Sequence, residues 1–162
     1  NKTQLILSSI IILLTVVVGN TSYLGSGMSI IERIFHEGTT PNHTFLLKII
    51  FTALTLGAGF KGGEIVPSFC IGAAFGCVAA SWFGLPVTLV AACGMIGVFC
   101  GVTNCPITSL LISFELFGFE GMPYYLVTVA VSYMLSGYYG LYHSQKIMYS
   151  KTETNFVNTA AH

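Results

Sequence analysis

Fifty consecutive residues, 65–114, contain no Asp, Glu, Lys or Arg. A water-facing element needs a polar side, and an uninterrupted apolar stretch beyond about 18 residues is read as a candidate for crossing a bilayer. Fifty residues exceed any single buried core helix, so several membrane passes are expected here. The whole chain agrees: 54% of its residues are hydrophobic and 7% charged, where an average soluble domain has roughly 25% charged. A formal net charge of zero leaves no basic footprint for nucleic acid, and that partner is excluded. The chain opens at Asn1 straight into an apolar run, without the basic start of a signal peptide, so a piece of a longer protein is expected.

Residues 5–24, rich in Ile, Leu and Val, read as a first span. Gly25, Ser26 and Gly27 break it, and residues 28–35 form an amphipathic piece with Ile30, Ile31 and Ile34 opposite Glu32 and Arg33. Residues 36–43 hold Gly38, Pro41 and both His36 and His43 and are expected as a solvated loop. A second span starts at Thr44 and runs into glycines at positions 57, 59, 62 and 63. Proline, suited to a first helical turn, then opens four further segments. They run from Pro67 to near Gly84, from Pro86 to about Val102, from Pro106 to about Phe117, and from Pro123 to about Tyr139. Several are short for a bilayer, which predicts tilted, re-entrant or broken helices. Gly72 and Gly76 form a GxxxG pair that predicts close helix contact. The five cysteines lie within apolar segments and read as small buried hydrophobes, and no metal-ligand spacing is present.

The glycine-rich stretch 57–67 carries the chemistry. Non-helical backbone is tolerated at membrane depth only where protein or a water-filled cavity satisfies it. Directly after it, the start of the Pro67 helix presents free backbone N–H groups and the positive end of a helix dipole, which together suit a small anion. Half-helix starts serve that purpose in transporters. Gly62 and Gly63 allow close backbone approach.

The run Gly63-Glu64-Ile65-Val66-Pro67-Ser68-Phe69 and the following Ile71-Gly72-Ala73-Ala74-Phe75-Gly76 resemble the Gly-x-Phe-x-Pro anion motif and glycine-rich helix of the CLC family of chloride channels and proton-coupled anion transporters. Gly94-Met95-Ile96-Gly97, Pro106-Ile107-Thr108 and Ser113-Phe114-Glu115-Leu116 are similar to that family's next two helices. Residues 141–147 are similar to its last membrane segment, whose tyrosine hydroxyl faces the central anion, a role that falls on Tyr142. The resemblance implies an all-α, multi-pass fold of short, tilted and broken helices, with residues 1–162 forming the carboxy-terminal half of an inverted-repeat domain. It implies transport of chloride or another halide in a lipid bilayer, in the plasma (inner) membrane of a bacterium. The anion would be held at Gly63, Glu64, Ile65, Val66 and Tyr142, without a cofactor. A homodimer contact is implied within residues 106–137, from Pro106 to Gly137.

Two departures bear on which anion is carried. Ile65 replaces the motif's phenylalanine, and Glu64 stands where an apolar residue is usual. Gly-Gly-Glu at this point resembles a fluoride/proton exchanger branch, which adds protons to the expected partners. Backbone donors survive either change, because the peptide rather than the side chain makes the contact. Glu64 is expected in a structural role, capping free amides, and Gly25-Ser26-Gly27-Met28 is likewise read as structural. Glu115 is either an intramembrane acid or a residue at the water boundary. An intramembrane serine protease would need a histidine within a helix, and the four histidines fall in loops or the tail. A purely structural subunit would not explain a helix broken at Gly62-Gly63.

Overall fold

The computed structural model describes residues 2–19, 21–23, 25–59, 63–142, 145–151, 153 and 156–160. Seven α-helices follow one another in these residues: α1 (Lys2–Val18), α2 (Met28–Glu37), α3 (Thr44–Gly57), α4 (Ile65–Phe83), α5 (Val87–Thr103), α6 (Pro106–Phe117) and α7 (Met122–Leu135). A single 3-10 turn, Thr21–Tyr23, precedes α2, and an antiparallel hairpin of β1 (Lys146–Tyr149) and β2 (Phe156–Ala160) ends the chain. The hairpin is the one departure from an all-helical architecture among the described residues.

α4 is long and apolar enough to cross a membrane by itself, and α3, α5, α6 and α7 are shorter apolar helices, as the proline spacing implies. The first span ends at Val18, six residues early, because Gly19 turns the backbone into the left-handed region at φ 66°. Leu24 lies outside the described residues. The last helix also stops early, at Leu135 rather than near Tyr139, where Gly137 has φ 59°. His36 belongs to the final turn of α2 rather than to the loop after it.

The centre of the molecule is the antiparallel pair α4 and α5. A Cβ added to Gly72 would lie 2.8 Å from Met95 Cα and would overlap the Gly94 carbonyl; one on Gly76 would lie 2.7 Å from Ala91 Cα. Backbone therefore meets backbone, the contact that small residues permit between apolar helices. Gly97 and Gly101 of α5 likewise admit Thr128 and Ser132 of α7, and Ser132 Oγ donates to the Gly97 carbonyl at 2.6 Å. α2 lays Ile30 and Ile34, both fully buried, into the cluster formed with Cys70, Ala73, Ala74 and Cys77. The opposite surfaces remain apolar and open, including Val16 and Val17 on α1, Ile107 and Leu111 on α6, and Leu135 on α7. Such area is a liability in water and ordinary in lipid.

The hairpin docks through Lys151, whose Nζ donates to the Tyr133 carbonyl at 2.9 Å, to Ser136 Oγ at 2.8 Å and to Asn104 Oδ1. The ammonium thus meets carbonyls at the negative end of α7 and sits 4.1 Å from the Tyr133 ring centroid. Burial lowers the Lys151 pKa from the usual lysine value, and the Coulombic effect of Cys100 opposes that shift.

Candidate anion site at the start of α4

α4 begins at Ile65, two residues before the proline that announces it, with Glu64 as its N-cap. Pro67 is therefore the third helical residue, still inside the first turn, where an absent N–H costs no helical bond. The first intrahelical bond runs from Ser68 N to the Glu64 carbonyl at 3.2 Å, and Ser68 Oγ donates to the same oxygen at 2.7 Å. This leaves the amides of Glu64, Ile65 and Val66 without a helical acceptor. Among the described residues no side chain caps them, and the expected capping by Glu64 is not observed. The reason is geometric: a residue at the N-cap reaches its own helix best through a short side chain such as Ser or Asp, and the glutamate chain is too long.

The helix start borders a cavity of about 410 Å³, which Val66 lines and Glu64 and Ile65 do not. One wall is the helix start itself, through Gly63, Val66 and Pro67; α3 supplies Lys48, Thr52 and Thr55; Tyr23, Gly25 and Ser26 close the third side. The loop at Gly25 and Ser26, read from sequence as structural, thus also borders the cavity. Gly63 is exposed, and a Cβ there would meet nothing within 4 Å. Gly62, with Phe60 and Lys61, lies outside the described residues.

Tyr142 is 45% exposed and not part of this wall. Its carbonyl accepts from Gln145 N, and the preceding Leu141 N donates to the Val102 carbonyl at 2.9 Å. Because α5 runs antiparallel to α4, with the Phe69 and Phe99 rings in tilted contact at 4.8 Å, Val102 and the start of α4 lie at the same end of the pair. Tyr142 is therefore near that end, on an irregular segment rather than a helix; the neighbouring His143 and Ser144 lie outside the described residues. Glu115 is exposed in the last turn of α6, beside the likewise exposed Leu116.

Lys48 is absent from the sequence reading of the site. It was legible by the rule that an ionisable residue within an apolar span demands a function or a partner, since it stands alone in the apolar segment that begins at Thr44.

Residues 1–137 match the family model described as voltage gated chloride channel. A chloride/fluoride channel protein of Pseudomonas syringae pv. tomato is 39% identical over 129 residues, covering 80% of this chain and 28% of that protein. An uncharacterized protein of Methanocaldococcus jannaschii is 30% identical over 100 residues, or 60% of this chain and 25% of its own length. A crystal structure of a CLC-type fluoride/proton antiporter superposes with a TM-score of 0.80 at 36% identity, over 85% of this chain and 35% of that one. The chain thus spans between a quarter and about a third of these relatives. With the cavity at the start of α4, the glycine-packed pair α4 and α5 and a match over residues 1–137, the chain belongs to the voltage gated chloride channel (CLC) family of integral membrane proteins.

Proposed function

We propose that this chain is the carboxy-terminal half of a membrane domain that transports small anions, chloride or another halide, and that the anion is held by backbone amides at Gly63, Glu64, Ile65 and Val66 with the Tyr142 hydroxyl opposite. One observation carries the reading: among the described residues, three consecutive amides at the start of α4, those of Glu64, Ile65 and Val66, have neither a helical acceptor nor a side-chain cap, and Gly63, Val66 and Pro67 of that helix start border a cavity. Such a helix start attracts a negative ion through its N–H groups and dipole without a full countercharge, so binding stays reversible. No cofactor is needed for this chemistry, and an enzymatic role does not fit a family whose named members are channels and antiporters.

Fluoride/proton exchange is the second reading. It is favoured by Glu64 at the N-cap and by the 36% identity to a CLC-type fluoride/proton antiporter. Flux from liposomes holding the full-length protein, compared for fluoride and chloride, separates the two. A proton flux coupled to fluoride supports exchange, and chloride flux indifferent to a pH gradient refutes it. Absence of any halide flux refutes both. Under either reading Tyr142→Phe, which deletes one hydroxyl donor, is expected to weaken halide binding about tenfold, the scale of a hydrogen bond to a charged partner. Unchanged binding removes Tyr142 from the site.

We also propose a homodimer formed within residues 106–137, in the inner membrane of a bacterium. Its support is the open apolar surface of α6 and α7, where Ile107 is 74% and Leu135 81% exposed. Cross-linking in mild detergent is expected to trap a pair of full-length chains. A product that stays monomeric at all protein concentrations contradicts this contact.

A further inference from the structure

Lys48 is the one Asp, Glu, Lys or Arg side chain buried among the described residues, with 1% of its surface exposed. A buried ammonium is normally neutralised by a carboxylate, because desolvating a lone charge is costly. Here Nζ donates instead to two carbonyls, Tyr23 at 3.0 Å and Gly25 at 2.6 Å. Among the described residues no carboxylate pairs with it and its third N–H has no acceptor. The same side chain walls the cavity that opens onto Gly63 and Val66. Its stem passes close to Gly27, where an added Cβ would lie 3.0 Å from Lys48 Cε. Among the described residues the cavity therefore contains a lysine Nζ with one donor unused, beside a helix start whose first amides have no acceptor.

We infer that Lys48 is an anion-binding residue, its free N–H and charge completing a subsite for a small monovalent anion in the cavity between α3, the Gly25 loop and the start of α4. The inference rests on the proposed anion role of that helix start. It adds a charged contact to a site otherwise built of neutral donors, and the occupant supplies the missing countercharge. Thr52, on the same wall, offers a hydroxyl to the same ion.

Lys48→Gln tests this in the full-length protein, because the amide keeps N–H donors for the Tyr23 and Gly25 carbonyls while removing the charge. Calorimetric titration with fluoride and with chloride is expected to show affinity reduced about tenfold or more, as for loss of a buried charged contact. Lys48→Arg is expected to retain most of the affinity. A folded Lys48→Gln protein that binds both halides as the wild type does overturns the inference and leaves the amide site standing. Failure of the wild type to bind either halide overturns both. Should Lys48→Gln not fold, Thr52→Glu leaves Lys48 in place and tethers a carboxylate within the cavity. Halide affinity is then expected to fall at least about tenfold as the tethered anion takes the subsite, and unchanged affinity overturns the inference.

Discussion

Gly72→Leu is expected to destabilise the folded protein severely, lowering its melting temperature and broadening its size-exclusion peak. The new Cβ would overlap the Gly94 carbonyl and approach Met95 Cα to 2.8 Å, so no side-chain rotamer relieves the clash and α4 must move away from α5. Overpacked cores lose about 1–3 kcal/mol where side chains can yield, and backbone overlap belongs at or above the upper end. Against a total stability of ~5–15 kcal/mol this removes a large part of the margin. Separating the pair also opens the cluster that buries Ile30, Ile34, Cys70 and Ala73, so the loss spreads to α2. Gly57→Ala is the matched control: its Cβ meets nothing within 4 Å, and the change is expected to alter stability by less than about 1 kcal/mol. Fluorescence-detected size exclusion of the full-length protein reads both. A sharp, wild-type-like Gly72→Leu peak with an unchanged melting temperature contradicts the packing described.

The difference between these two glycines also shows how far the sequence could be read. The GxxxG spacing of Gly72 and Gly76 announces a close contact, and the contact is there, whereas the identity of the facing residues, Gly94 and Val90, depends on the turn at Gly84 to Pro86. Helix starts at Pro86, Pro106 and Pro123 were legible to within one residue, because proline fixes φ and lacks the N–H that a first turn would leave unpaired. Pro67 misleads by two residues for the same reason, since any of the first three positions forgives the missing donor. Helix ends are set by single left-handed residues, Gly19 and Gly137, whose φ cannot be inferred from the apolar runs they terminate.

At the site, the free amides follow from local sequence, but the cavity beside them does not. It requires α3 to bring Lys48 against the carbonyls of Tyr23 and Gly25, a contact across more than twenty residues of chain. Tyr142 could be named from the family pattern and not located by it, because the segment that carries it is irregular and is held by the Leu141 bond to Val102. The tail hairpin gave little warning. Residues 141–147 resemble the family's last membrane segment, whereas β1 begins at Lys146, and the hairpin is held by a cross-strand contact of Tyr149 with Phe156 and by Lys151 reaching back to α7.

The central claim is that backbone N–H groups at the start of α4 are the principal hold on the anion. Ile65→Pro removes one of those donors at the first helical position, where proline is tolerated best. Glu64, in the α region before it, would be placed as Val66 already is before Pro67. Ile65→Val controls for the lost side chain and keeps the amide. A hydrogen bond to a charged group contributes about 1.5–3 kcal/mol, so halide affinity measured by titration calorimetry on the full-length protein is expected to fall roughly 10- to 100-fold for Ile65→Pro and to hold for Ile65→Val. A folded Ile65→Pro protein that binds halide as tightly as the wild type would show that the amides at the start of α4 are not the site.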